Sequence, residues 1–513
     1  MMAAIDTGAG VSLSFLLEGL VRADDLLKYG DMIVTGLSDD SRKAKKGDLF
    51  IAFSGGRTHG LMHAADIVRK GIAVVLWDDS YENSDEIIRD ISRSVVCLHC
   101  EGLKMKVGEI ADRFYGHPSS RLNMIGVTGT DGKTSIAHYI AQCLDEPSAR
   151  CGLLGTLGNG FIGELTVTGL TTAPVVEIHQ GLSDMCDRGA VHAVMEVSSH
   201  GLDQGRVNAV SFDTAVFSNF SQDHLDYHET LEDYAAAKKK LFSMPGLRAA
   251  VINLDDAFGR ELAEECKSRL CVWGYSTCAD ITDLKQYADY IVHAREIEPV
   301  ENGYRLTVKT PKGSGKLGVG LLGSFNIENV LATLATLLVS NVLFDEAIKR
   351  LHSLSPVEGR MEAIKVKGKP AVIVDYAHTP NALELACKAA GEHFQGKLWC
   401  VFGCGGDRDN SKRPLMARAA EKFCEKIVIT SDNPRHEDPQ KIVDQIMQGF
   451  AVQDAVKVII DRKQAIEYAI NNAGENDVVL LAGKGHECSQ IIGDSYIAFS
   501  DSHVARECLG VLS

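Results

Sequence analysis

No stretch of this chain is apolar for long enough to cross a bilayer. A spanning helix needs roughly 18 apolar residues in a row, and the segment Ser12 to Leu20 is short and stops near Asp24 and Asp25. The N-terminus also lacks a basic segment followed by a long apolar run, so no secretory leader and no membrane insertion are expected, and a cytoplasmic location is. Basic charge is scarce: 53 Lys and Arg stand against 69 Asp and Glu, a net charge of -16. A surface that negative repels the phosphates of nucleic acid and anionic membrane, so neither is an expected partner. Small anionic substrates remain open, because a local basic pocket overrides the global sign. There is no internal repeat and no low-complexity tract, which excludes solenoids and disordered tails. Zinc spacing is missing too. The chain has 14 cysteines, but its one Cys-x-x-Cys, Cys97 and Cys100, has no second pair. The cysteines read as reduced thiols packed in and beside strands, in a reducing compartment.

What is present is ordinary enzyme material. Of 513 residues, 45% are hydrophobic and 24% charged. That length exceeds one core and predicts about three domains of roughly 150 residues. Short apolar runs at Leu49 to Phe53, Ile72 to Trp77 and Val95 to His99 alternate with helical stretches such as Leu61 to Arg69, which predicts an α/β unit over 1–117. The turn residues Gly116-His117-Pro118-Ser119-Ser120 end it. A central domain, 118–353, opens with a strand at Met124 to Val127. It continues with buried strands at Val191 to Val197 and Thr214 to Ser218, a helix at Leu231 to Phe242, and a small antiparallel insertion within Asp283 to Gly320. A second break near Ser353 to Pro356 begins the third domain, 354–513. Its parallel strands are expected at Ala371 to Asp375, Leu398 to Phe402, Lys426 to Thr430 and Asp477 to Leu481.

The segment Thr128-Gly129-Thr130-Asp131-Gly132-Lys133-Thr134 joins a buried strand to the helix Ser135 to Leu144. Its glycines let the backbone curl so that successive N–H groups point at one phosphate, and the helix N-terminus adds its dipole. Lys133 supplies charge to the outer phosphates, and the Thr134 hydroxyl is placed for magnesium. Val127 stands where the usual Walker pattern has its first glycine. By itself the loop establishes only nucleoside triphosphate binding.

The residues behind the loop narrow the chemistry. Glu196 stands at the end of its predicted strand, the place where α/β sheets bind ligands, and His224 lies just beyond another strand end. Tyr234 and Lys238 share one helix face, anchored by Leu241 and Phe242, while Lys239 and Lys240 form a solvated face. A glutamate and a histidine near a Thr134-bound magnesium can form a second metal site.

The loop resembles the Thr-Gly-Thr-Asn-Gly-Lys-Thr loop of the Mur ligases and folylpolyglutamate synthases, with Asp131 in place of Asn, and the likeness runs over nearly the whole chain. It implies an N-terminal UDP-binding α/β domain, a central P-loop ATPase-like domain with a mostly parallel sheet, and a C-terminal Rossmann-like α/β domain. In that family the lysine matching Lys238 is carbamylated and its new carboxylate holds a second magnesium. By the same likeness Lys133, Glu196, His224 and Lys238 are catalytic, and Thr134, Glu196, His224 and carbamylated Lys238 are the metal ligands. Asn326 and Asn329 lie against ATP, Arg360 touches phosphate, and Asp375 the ribose.

Both substrate ends have counterparts. Ser41, Gly56, Arg57 and Thr58 match uridine-diphosphate contacts. Thr171, Thr172, Ser198, Gln204 and Arg206 match residues that hold a UDP-muramoyl-dipeptide, and Leu170 stands where some relatives have Asn. Arg408, Asp432, Asn433, Pro434, Arg435, Gly483 and Glu487 resemble the segments that bind diaminopimelate. The far end of that diamino acid carries a carboxylate and an ammonium on one carbon. Arginine pairs bidentately with the first, and Glu487 and Asp432 accept from the second. Lysine has no far carboxylate, so it would leave Arg435 unpaired. The expectation is an ATP- and magnesium-dependent, monomeric ligase acting on small molecules through an acyl-phosphate. The rivals are a lysine- or ornithine-adding sister ligase, a folylpolyglutamate synthase, a P-loop small-molecule kinase and a silent binding protein.

Overall fold

The computed structural model describes residues 10–55, 58–224, 227–300 and 302–511. The chain forms two compact units, the first comprising Met1–Thr128, Leu144–Ala215 and Ala236–Arg248, the second Gly129–Cys143, Val216–Ala235 and Ala249–Ser513. Among the described residues no helix is long and apolar enough to cross a membrane.

In the first unit, strands Gly36–Ser38, Asp48–Ala52, Val74–Trp77 and Val96–His99 pair in that order, all parallel. Parallel strands need both faces covered, which is why they read as unbroken apolar runs rather than as alternation. Leu49, Ile51, Val74 and Leu76 belong to one apolar cluster, and Phe50, Ala52, Val75 and Trp77 to another. The expected break is a sharp turn: His117 adopts a left-handed conformation with φ 54°, and Pro118 then starts a short 3-10 helix. Beyond it, strands Asn123–Thr128, Ala190–Glu196 and Arg150–Gly155 lie parallel in that spatial order. Their register sets Val127 opposite Glu196, so the end of the strand that feeds the phosphate loop is level with the Glu196 backbone.

The second unit holds the antiparallel insertion expected from the sequence. Tyr290–Val300, Gly303–Thr310 and Gly313–Val319 form a meander, joined in parallel by Cys271–Ser276 and Ala249–Asn253. The helix Phe325–Val339 buries twelve of its residues, including Asn326 and Asn329. The last part of the chain is a six-stranded sheet in the order Glu362–Ile364, Ala371–Asp375, Val478–Ala482, Leu398–Phe402, Lys426–Ile429, Val456–Val458. Only its first strand runs antiparallel. The parallel strands end together, so the loops after residues 375, 402, 429 and 482 open on one edge, the ligand-binding edge of such sheets.

A buried ion pair ties that edge to two helices. Arg462 opens the helix Arg462–Asn472 and donates through Nε and Nη2 to Asp501 at 2.7 and 2.6 Å, while Nη2 also donates to the Ala482 carbonyl at 2.9 Å. Both side chains are fully buried. Removing one member of such a pair strands a charge in the core. Asp501→Asn is expected to lower the urea-unfolding free energy by about 3–5 kcal/mol, whereas Arg462→Met/Asp501→Leu regains most of the loss. A wild-type urea midpoint in Asp501→Asn would show that the pair does not hold this edge.

Candidate active site

The phosphate loop is held by close backbone approach. Gly129 has φ 145° and Gly132 φ 82°. A Cβ at Gly129 would overlap Ser218 Oγ, and one at Gly132 would lie 2.7 Å from Asn329 Oδ1. Thr130 N donates to the Asn219 carbonyl and Asp131 N to Asn219 Oδ1, each at 2.8 Å, while Ser218 Oγ donates to the Asp131 carbonyl. The Thr130 hydroxyl lies 3.2 Å from Tyr234 OH. Lys133 starts the helix Lys133–Leu144 and donates to the carbonyls of Gly129 and Thr130 at 3.0 and 2.7 Å. Thr134 is buried, with Arg360 Nη2 at 3.4 Å from its hydroxyl.

Around this loop the second unit gathers several residues expected from the sequence. Asn329 Nδ2 donates to Asn326 Oδ1 at 3.0 Å, and Asn326 Nδ2 to the Leu322 carbonyl at 2.8 Å. Arg360 lies over the Tyr376 ring at 4.3 Å. The Asp375 oxygens accept from Met361 N and Ala377 N, and burial pushes its carboxyl up against the pull of Arg360. His224 adopts φ 55° beside Asp223, its ring 6.0 Å from that of Tyr234. Two histidines were not anticipated. His138, on the loop's own helix, and His486 are both pushed down to about 4, chiefly by burial and then by Arg360. His486 lies within the segment Gly483 to Glu487, where no role was expected of it, and His138 lies outside any motif; the fold sets both near Arg360.

The first unit assembles the Glu196 group. Glu196 is fully buried at its strand end. Its Oε1 accepts from Thr156 N at 2.8 Å, and the Thr156 hydroxyl lies 3.1 Å from both Glu196 Oε2 and Thr171 Oγ1. Thr156 was not singled out in the sequence. The Thr172 hydroxyl reaches the Glu196 carbonyl at 2.9 Å and Ser198 Oγ at 3.0 Å. Arg206 donates to the Thr172 carbonyl at 2.6 Å and, through Nε and Nη2, to Gln204 Oε1. Thr171, Thr172, Ser198, Gln204 and Arg206 therefore form one network at the strand end, and Leu170 is exposed beside it. Lys238 is buried on the helix Leu231–Phe242.

The same unit has a cavity of about 1000 Å³ lined by Ser41, Arg42, Thr58 and Lys70 among others. Asp40 is held down to about 2 by the Arg42 guanidinium, and Lys70 Nζ donates to the Ser41 and Arg42 carbonyls. Gly56 and Arg57 lie outside the described residues.

The expected amine-end residues converge on the edge of the six-stranded sheet. Arg435 adopts φ 51° and donates through Nη1 to the Gly406 carbonyl at 2.8 Å. Asp432, Asn433 and Pro434 are buried, and Asp432 Oδ2 would lie 2.6 Å from a Cβ at Gly483. Glu487 Oε2 accepts from Asn433 Nδ2 at 2.8 Å and from Lys484 Nζ at 2.7 Å. Arg408 is exposed, with Nη1 3.5 Å from the neighbouring Asp407 carbonyl. The frame beneath these residues was missed in the sequence. Buried Arg413 donates to both Glu437 oxygens at 2.9 Å and to the Gly405 carbonyl at 3.1 Å, and Glu437 accepts from Asp407 N. Buried Lys484 spans Asn433, Glu487 and the Ser489 carbonyl. A helix-borne arginine resembles any surface charge until its distant partner is known.

Two outcomes follow from this geometry. Gly129→Ala combines the clash at Ser218 with an unfavourable φ, a strain of about 1–3 kcal/mol; calorimetry should show nucleotide binding weakened by roughly 10–100-fold. Unchanged affinity would mean that the loop rearranges at no cost. His138 titrates near 6.5 when exposed and about 4 when folded, so the unfolded chain takes up the proton first. Its contribution is therefore complete above pH 6.5 and is lost as pH falls towards 4, on the order of 2 kcal/mol by pH 4.5. His138→Gln should shrink the fall in melting temperature between pH 7 and 4.5; an equal fall in both proteins would remove His138 from the acid response.

Comparison with known proteins matches residues 127–337 to the Mur ligase middle domain and 359–485 to the Mur ligase glutamate ligase domain. The UDP-N-acetylmuramoyl-L-alanyl-D-glutamate–2,6-diaminopimelate ligase of Coxiella burnetii is 43% identical over 493 residues, 96% of this chain and 99% of the relative. The ligase of that name from Pseudomonas aeruginosa is 44% identical over 480 residues, 93% of this chain and 96% of the relative. A solved structure of a ligase of that name superposes with a TM-score of 0.67 at 32% identity, covering 98% of this chain and 99% of that one. Mycobacterium tuberculosis folylpolyglutamate synthase shares the fold, with a TM-score of 0.61 at 18% identity over 79% of this chain and 95% of that one. On its near-full-length identity to these ligases and the two matched domains, the chain belongs to the Mur ligase family.

Proposed function

We propose that this chain uses ATP to join the free amine of meso-2,6-diaminopimelate to the D-glutamate carboxylate of UDP-N-acetylmuramoyl-L-alanyl-D-glutamate, a step of peptidoglycan precursor synthesis. The observation that carries the reading is the cluster on one loop edge of an arginine, Arg435, with the buried acceptor Asp432 and the half-buried acceptor Glu487, in a chain about 43% identical to ligases named for this reaction. The rigid frame of Arg413 and Lys484 suits discrimination, because side chains fixed in advance lose little entropy on binding.

The chemistry runs in two steps. A carboxylate oxygen of D-glutamate takes the γ-phosphoryl group of ATP, giving an acyl-phosphate and ADP. The diaminopimelate amine then attacks the acyl carbon, loses a proton, and phosphate leaves as the amide forms. The loop amides and Lys133 orient the phosphates and stabilise charge on the transferring group. Arg360, next to Thr134, adds a second cation on that side. Thr171, Thr172, Ser198, Gln204 and Arg206 orient the dipeptide, and the cavity at Ser41 and Thr58 takes the uridine diphosphate. Magnesium suits the donors Thr134, Glu196, His224 and a carbamylated Lys238, which are mostly hard oxygens, and when bound it neutralises phosphate charge. We further infer a functional division into 1–117, 118–353 and 354–513, and action as a cytoplasmic monomer.

Phosphate release from ATP in the presence of the UDP-muramoyl-dipeptide tests the amine. Diaminopimelate should support turnover, and lysine and ornithine should be poorer by roughly 100-fold, the cost of an unpaired arginine. Turnover with lysine equal to that with diaminopimelate would overturn the specificity. Lys238→Ala should lose most activity and regain part of it with added short carboxylates; a fully active variant would take Lys238 out of the mechanism.

A further inference from the structure

Three cysteines far apart in sequence meet inside the second unit. Cys387 lies on the helix Pro380–His393, Cys400 on the strand Leu398–Phe402, and Cys424 caps the helix Lys412–Phe423. Their sulfurs all lie within 4.8 Å of one another, and the Cys424 thiol is 3.5 Å from the Cys387 sulfur. Cys387 and Cys400 are fully buried in the apolar core, while Cys424 is partly exposed and gives access to the group. Among the described residues no other group of three His, Cys, Asp or Glu side chains is arranged to hold an ion. The mechanism uses none of them.

We propose that Cys387, Cys400 and Cys424 form a three-thiolate site for a trivalent thiophilic metalloid, with arsenite as its simplest ligand. Distance supports three-fold sulfur coordination: bonds of about 2.3 Å to a pyramidal central atom, at angles of about 100°, put three sulfurs about 3.5 Å apart. Charge selects the class. The ionised side chains that bear on these thiols are Glu384, itself paired with Lys422 at 2.7 Å, and Glu425, so these surroundings bring no surplus positive charge to offset thiolate charge. In an apolar core net charge is costly. Three thiolates around a monovalent ion leave two negative charges, around a divalent ion one, and around a trivalent centre none. Binding needs no oxidant. Arsenous acid exchanges three As–O bonds for three As–S bonds, and the three thiol protons leave with its hydroxyls as three waters. The thiols of Cys400 and Cys424 donate toward Cys387, which holds that thiol below its usual range and supplies the first nucleophile. The bound atom would tie two helices and a strand beneath the sheet.

The full-length protein, kept reduced with a phosphine, is titrated with sodium arsenite and freed of excess ligand. Arsenic per chain is counted by elemental mass spectrometry, and its neighbours by X-ray absorption. The expected result is one arsenic with three sulfur neighbours, unchanged in Cys271→Ser/Cys278→Ser/Cys488→Ser, which lacks three exposed thiols. Cys400→Ala and Cys424→Ala should each bind at least 10-fold more weakly. Because Cys400→Ala disturbs the core, the partly exposed Cys424→Ala and the wild-type absorption spectrum each decide the matter alone. Two or fewer sulfur neighbours, binding lost with the exposed thiols, or undiminished binding in Cys424→Ala would overturn the proposal.

Discussion

The contact on which the catalytic reading rests is the backbone approach of the phosphate loop to residues 218 and 219. Ser218 and Asn219 hold Thr130 and Asp131 from outside the loop, and Gly129 has no room for a side chain against them. The Thr130 and Asp131 amides are taken up by Asn219, so a neighbouring segment fixes the curl of the loop. Lys133 is drawn to carbonyls of the same loop, which keeps its charge at the helix start.

Buried charges take the corresponding part at the sheet edge that carries Arg435. Arg413, Lys484 and Arg462 are basic side chains in a strongly acidic protein, and each is buried and donates to several acceptors. Arg413 locks Gly405 to Glu437, Lys484 locks Asn433 to Glu487, and Arg462 anchors the strand end before Gly483. These ion pairs contribute less to net stability than to a single loop geometry, since removing either partner is far costlier than never having had the pair. Asp432 and Arg435 flank Asn433, which Lys484 holds, and Arg435 donates to the Gly406 carbonyl next to the Gly405 that Arg413 holds.

Much of the fold was legible in the sequence. The parallel strands were visible as unbroken apolar runs between helical stretches, and Ala371–Asp375 and Leu398–Phe402 agree with expectation to the residue. Strand ends elsewhere differ by a residue or two, as at Ala190–Glu196, because side-chain pattern marks burial while backbone pairing sets the boundary. The segment Gly60–His63 was expected as part of a helix from Leu61 and forms a tight 3-10 turn before Ala64–Arg69, where His59 accepts from Leu61 N.

The sequence by itself determined the strand-to-helix loop at Gly129 to Thr134, Glu196 at a strand end and the loops carrying Arg408 and Arg435, because each is a local pattern of adjacent residues. Only the tertiary structure decided how those motifs are held. Thr156 under Glu196, Arg413 and Lys484 under the loops that carry Arg408 and Arg435, His138 and His486 beside Arg360, and the three convergent cysteines act through partners in other elements of the chain. Spacing along a chain records which residues are neighbours in a turn or a helix. It does not record which strands lie side by side, and that order is what brings these groups into contact.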